Sequence, residues 1–417
     1  MLEALRNAWK IPDLRRRIKY TALMLLLFRM GTFIPVPRMD PAAVRSIVER
    51  GALLGFFDII AGGAFSQFSV FAMSITPYIN ASIIMQLLTI VIPRLEELAK
   101  EGEAGRKIIA QYTRYGTVIL GLIQATGLSI GFKSAMKPGF LSNIVVIVSL
   151  TAGTAFLMWL GEQITEKGIG NGISLLIFTG IVSRIPASII QTYALVRVGT
   201  INILLLAVIA ILGVAVIVGV IAVQEAERRL PVQYAKRIVG RRVYGGQSTH
   251  MPIKLNSAGV IPVIFAMSIL MFPSTLAGFF PSSKFMTSIA EFLQPSGWLY
   301  AVLYAMLIVF FTYFYTAVTF NPVDVANNMK KYGGFIPGIR PGRPTAEYIS
   351  RIVNRITLVG ALFLAAIALL PYFMTAISGL NISFGGTALL IVVGVALETM
   401  KSIEAQMLMR HYQGFLK

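Results

Sequence analysis

The chain has 417 residues, 56% of them hydrophobic and only 13% charged, with a formal net charge of +19. Soluble domains carry about 25% charged residues, so this balance excludes an ordinary soluble fold and points to a polytopic membrane protein. The sequence has no cysteine, which excludes a disulfide framework, a thiolate nucleophile and a cysteine metal site.

A helix needs about 20 apolar residues to cross the hydrocarbon layer. The first such run starts near Ile18 and is followed by "IPVPRMDP" rather than a small-residue cleavage site, so it reads as a retained first span. Before the second run comes "DIIAGGAFSQFSVFAM", which begins with Asp58 and is interrupted by Gly62, Gly63, Ser66, Gln67 and Ser69. It is too short to span, and its glycines and serines weaken a helix. From the residues alone it is either a movable gating segment or a re-entrant connector.

Full-length runs fall near 18–36, 74–92, 116–132, 144–160, 173–190, 201–223, 258–276, 299–320, 356–374 and 382–400. This predicts an all-α membrane protein of ten spans. With the N-terminus in the cytoplasm, 28 of the 37 Lys and Arg fall on the cytoplasmic side, 7 fall outside, and Arg29 and Arg184 lie within spans. The positive-inside rule then puts both termini in the cytoplasm. The expected division is an N-terminal half over 1–190, an external hinge over 191–200, a C-terminal half over 201–403 and a cytoplasmic tail over 404–417. Five spans on each side of the hinge make the halves inverted, an arrangement that puts the working site at their interface near mid-membrane.

Four spans carry polar or helix-breaking residues: "SITPYINASII", "GIGNGISLLIF", "NSAGVIPVIFAMS" and "SFGGTALLIVV". Irregular backbone at membrane depth is tolerated only against protein or a water-filled cavity, so four such spans favour a shared cavity. Charge is sparse there: Asp58 and Glu398 lie near predicted span ends, and Arg29 and Arg184 can snorkel to an interface. Bulky aliphatic side chains can close such a cavity by dewetting, without holding what passes. "GLSIG" at 127–131 fits the nucleophile-elbow spacing, but it lacks the strand-to-helix context and a histidine partner. His250 and His411 both lie outside the apolar runs. Two cytoplasmic loops, 224–256 and 321–355, are long, basic and rich in turn residues. They suit anionic lipid, a protein partner or RNA phosphates.

The sequence resembles the SecY family throughout its length. The matching stretches are "RIKYTALMLLLFRMGTFIPVP", "ITPYINASIIMQLL", "EGEAGRKIIAQYTRYG", "GIGNGISLLIF", "PVQYAKRIVGRRVYGGQSTHMPIKLNSAGVIPVIFA", "NPVDVANNMKKYGGFIPGIRPG" and "FGGTALLIVV". The resemblance implies a bacterial plasma-membrane channel for unfolded polypeptides and their signal sequences, which also releases transmembrane segments sideways into lipid. It implies two five-helix halves around an hourglass pore, with no cofactor and no enzymatic activity. The implied partners are SecE and SecG, and the driving machinery is the SecA motor ATPase or a ribosome.

By the same resemblance the segment around Phe57–Phe68 is a short plug helix, including Phe57, Asp58, Ile59, Ile60, Ala61, Gly62, Gly63, Ala64 and Phe65. The pore ring maps onto Ile79, Ile83, Ile177, Ile264 and Ile391, with Ile173 as a neighbour. A polar lateral-gate cluster maps onto Thr89, Gln124 and Asn256, for which helix-end capping is the plainer reading of Asn256. Arg340, with Lys236, Arg241 and Arg242, maps onto the loops that meet SecA or the ribosome. Two other functions are weighed against this one. An ion-coupled secondary transporter would need an intramembrane acidic site, and an intramembrane hydrolase would need a nucleophile–base pair within the spans.

Overall fold

The computed structural model describes residues 9–50, 58, 61–197, 203–234, 237–239, 242–244, 248–279, 288, 293, 297–378 and 386–414. Helices occupy the places of all ten expected spans: α1 (Pro12–Gly31), α3 (Thr76–Val91), α5 (Glu103–Gly131), α6 (Phe140–Lys167), α7 (Gly172–Val182), α9 (Ile203–Glu225), α10 (Ile261–Phe279), α11 (Trp298–Thr319), α13 (Arg343–Ser378) and α14 (Gly386–Gly414). By length and apolar composition alone, six described helices can cross a membrane. They become seven if α3 and the following α4 (Pro93–Lys100), bent by 101° at Ile92, count as one span. Shorter helices are α2 (Pro41–Arg50), α8 (Ile185–Arg197) and α12 (Pro322–Lys331).

Local chemistry sets several helix starts. Pro12, Pro77, Pro93 and Pro322 stand in the first turns of α1, α3, α4 and α12, where a missing N–H costs nothing. Asn171 caps α7, its side chain accepting from the N–H groups of Ile173 at 3.1 Å and Ser174 at 3.3 Å. Within α11, Thr312 and Thr316 donate their hydroxyls to the Ile308 and Thr312 carbonyls, at 2.6 and 2.7 Å. Their polar groups are thus satisfied inside the helix, as an apolar surrounding requires.

The helices fall into two packed groups. α1 packs on α6 and α7, α3 on α5, and α5 on α6; α10 packs on α11, α11 on α13, α13 on α14, and α9 on α14. Two seams join the groups: α10 lies against α3 and α5 on one side, and α14 lies against α7 on the other. One buried cluster runs through both groups, from Phe28 and Ile79 to Ile308 and Val395. Leu204, Val208, Ile211, Val214 and Val218 of α9 are exposed, a row of aliphatic side chains suited to lipid.

The long basic loops are more ordered than their turn-rich composition suggests. β1 (Glu227–Tyr234) pairs antiparallel with β4 (Ser248–Lys254), with Leu230 opposite Met251, and β2 (Arg237–Val239) pairs with β3 (Arg242–Tyr244) further out. β5 (Gly334–Phe335), from the other loop, adds to the edge of β1. Leu230, Val232, Ile253, Met329, Ile336, Ile349 and Val353 form a small core that ties the two loops into one unit.

Candidate functional site

Ile79 and Ile83 sit one helical turn apart on α3, Ile177 lies on α7, Ile264 on α10 and Ile391 on α14. All five are buried, from 2% exposed at Ile391 to 8% at Ile79 and Ile264, and all belong to the one core cluster. The structure therefore gathers these residues, from helices of both groups, into a common interior. Ile173 is half-buried and packs against the same cluster. β-Branched side chains are stiff at χ1 and carry no hydrogen-bonding group, so their packing is well defined and chemically indifferent.

The expected plug segment belongs to this cluster through Ala61, Ala64, Phe65 and Phe68. Asp58 is helical, whereas residues 61–68 run through turns; Phe57, Ile59 and Ile60 lie outside the described residues. The chain turns because Gly62 and Gly63 take φ of +64° and +91°, which a glycine adopts freely and other residues do not. Gly62 also permits a close approach, since a β-carbon there would stand 2.8 Å from the Gly180 Cα. Phe68 keeps φ at +43° although fully buried. It is held by the Val36 N–H, which donates to its carbonyl at 2.9 Å, and by the Phe132 ring at 5.4 Å.

One of the sequence expectations for charged groups is corrected here. Asp58 is 5% exposed. Arg184 does not snorkel, but forms an ion pair with Asp58 at the break between α7 and α8. The other carboxylate oxygen of Asp58, Oδ1, accepts from the Ser66 N–H at 2.7 Å. Arg29 likewise turns inward, its Nη1 donating to the Gly62 carbonyl at 2.7 Å while its guanidinium lies 4.7 Å from the Phe33 ring centroid. Sequence reasoning missed this grouping because the three residues lie 29 and 126 positions apart. The available signal was that a charge inside a span needs a partner.

The lateral-gate candidates are placed near one seam without a hydrogen bond between any two of them among the described residues. Thr89 donates back to the Gln86 carbonyl of its own helix at 2.7 Å. Gln124 is buried on α5. Asn256 is buried just before α10 and its Nδ2 donates to the Gly259 carbonyl at 3.0 Å, while its Oδ1 has no partner among the described residues. The Asn256 contact is the local capping kind.

Arg340 is exposed in the loop between β5 and α13, and its carbonyl accepts from the Thr345 hydroxyl at 2.8 Å. Arg242 begins β3, while Lys236 and Arg241 lie outside the described residues. No group of three or more His, Cys, Asp or Glu side chains suited to a metal occurs among the described residues.

Comparisons with known proteins agree with this architecture. The SecY family model matches residues 69–400. The protein translocase subunit SecY of Halalkalibacterium halodurans is 51% identical over 435 residues, with all of both chains covered. A solved protein-conducting channel superposes with a TM-score of 0.68 at 20% identity, covering 94% of this chain and 92% of that one. The Sec61 of a canine ribosome–channel complex from the endoplasmic reticulum gives 0.64 at 18% identity, with the same coverage. At those identities the two structures speak for the fold, whereas the full-length match to the bacterial relative speaks for the sequence as a whole. With half its residues shared along that entire length, and the family model spanning both helix groups, this multi-pass membrane chain belongs to the SecY family.

Proposed function

We propose that the chain is the channel-forming subunit of a protein translocase. Unfolded polypeptides cross between the two helix groups through the waist formed by Ile79, Ile83, Ile177, Ile264 and Ile391, and the segment around Phe57–Phe68 seals that waist at rest. One observation carries this reading: isoleucines from α3, α7, α10 and α14 meet in a single buried cluster that spans both groups. An aliphatic collar makes no hydrogen bond with a passing chain, so it excludes water and ions by dewetting yet holds no sequence.

The seam of α10 against α3 and α5 is the side on which the channel opens to lipid. It is a packing of apolar helices with few polar ties, and membrane hydrogen bonds contribute only about 0.6 kcal/mol on average. The β1–β4 ribbon, the β2–β3 tip and the Arg340 loop form the cytoplasmic docking face for SecA or a ribosome, and SecE and SecG complete the complex. The Sec61 relative found in a ribosome–channel complex supports a ribosome as one partner. In this reading both termini face the cytoplasm of a bacterial plasma membrane, the halves meet at an external hinge over 191–200, and energy comes from the partner rather than from catalysis by this chain.

The absence of native cysteine makes the test direct. A single cysteine at position 264 or 391, in the full complex, is expected to crosslink to a stalled, half-exported chain. Crosslinks that form only from lipid-facing positions such as 211 or 218 would overturn the assignment.

A further inference from the structure

We propose that Asp58 and Arg184 are specificity-determining residues of the channel. Their ion pair, together with the Arg29 bond, latches the plug segment to the first helix group and sets how strong a signal must be to open the pore. The proposal rests on the translocation reading above.

The geometry makes Asp58 a two-way tie. One carboxylate oxygen pairs with Arg184 at the α7–α8 break, and the other accepts from the Ser66 N–H at 2.7 Å. The carboxylate therefore ties Ser66, in the turns over 61–68, and Arg184 to the same side chain. Arg29 of α1 grips the same turns at the Gly62 carbonyl, 2.7 Å away. The Gly63 N–H also donates to the Asp58 carbonyl at 2.9 Å, which folds the backbone around the tie.

Charge balance explains why this one carboxylate matters. Arg29 and Arg184 both reach the plug segment, and Asp58 is the one acid with a salt bridge to either of them among the described residues. Arg184 Nε and Nη2 are both buried without a hydrogen-bond partner among the described residues, so the ion pair with Asp58 is the compensation the structure shows for that charge. Removing either partner leaves an uncompensated charge beside the seal. The latch is polar and concentrated in a few atoms, unlike the apolar ring, so it can be released as a unit when an arriving chain admits water or displaces the segment.

The test uses the full chain with its partner subunits, in lipid vesicles for passive chloride conductance and in cells for export of a reporter with a defective signal sequence. Asp58→Asn and Arg184→Gln are each expected to raise both readouts about tenfold. The double variant should exceed neither single, because both substitutions remove the same interaction. Arg29→Gln should add its own increase, since it loses a separate bond. Arg184→Lys keeps the charge and should stay near the native level, and Arg184→Met serves in place of Arg184→Gln if that variant fails to insert. Two independent single effects that multiply in the double variant, or singles with native leak and native signal stringency, would overturn the latch. A native channel that conducts no polypeptide with its motor present would instead overturn the translocation reading, and the latch with it.

Discussion

At the scale of single residues, the site joins two kinds of side chain with opposite physical properties. The isoleucines gain from exclusion of water and are indifferent to direction, whereas Asp58, Arg184 and Arg29 act only in one geometry. Breaking a fully buried ion pair costs about 3–5 kcal/mol. Arg184 keeps 28% of its side chain exposed, so water screens part of that and the latch is weaker, as a releasable contact has to be. For the ring, Ile391→Asn puts an amide where 2% of the residue is exposed. A buried amide without a partner costs about 1–3 kcal/mol, so the waist should wet more readily. We expect higher ion conductance and export of reporters with poor signal sequences, by roughly tenfold, a factor that corresponds to 1.4 kcal/mol. Native conductance and native stringency in that variant would remove Ile391 from the ring.

At the scale of elements, close approach is what places the stretch between the plug segment and α3. A β-carbon on Gly153 of α6 would lie 2.0 Å from the Val70 carbonyl oxygen, and backbone cannot yield as a flexible side chain does. Around that contact Phe71 stacks on Phe28 and Phe156 at 6.2 and 5.9 Å. Gly153→Val is therefore expected to push α6 away from the segment before α3 and to destabilise the chain by about 1–3 kcal/mol, the usual range for overpacking. Thermal unfolding of the detergent-solubilised complex measures this, and an unchanged midpoint would mean the contact is not held. The cytoplasmic ribbon illustrates the same scale. β1 is a short strand with only Leu230 and Val232 buried, and it is stabilised by the edge strand and helices of the second loop rather than by itself.

At the scale of the whole molecule, the two helix groups meet where α10 packs on α3 and α5 and where α14 packs on α7, and the proposed opening requires them to part at the first of these seams. Thr89, Gln124 and Asn256 share no hydrogen bond among the described residues, so the proposed opening at the α10 seam breaks none between them. The orientation proposed from charge is testable on a cysteine-free background: a cysteine at 340 should react with an impermeant maleimide only from the cytoplasmic side, and one at 137 only from outside. Labelling of both from the same face would invert or abolish the proposed topology.

Hydropathy and charge in the sequence by themselves determined that this is a membrane chain with ten helical runs, because crossing lipid demands long apolar stretches with every backbone group satisfied internally. It was the resemblance to the SecY family that pointed to Ile79, Ile83, Ile177, Ile264 and Ile391 as the pore ring. Helix lengths were only partly legible: α13 runs from Arg343 to Ser378 and α14 from Gly386 to Gly414, since hydropathy registers the span and not the polar turns that continue it. What only the tertiary structure decided was which distant residues meet. That Arg29 and Arg184 turn in to a plug segment bearing Asp58, and that two turn-rich loops join as one sheet, depends on contacts between residues far apart in sequence. No local preference encodes those contacts, because the partner of a charge or a strand edge is chosen by the packing around it.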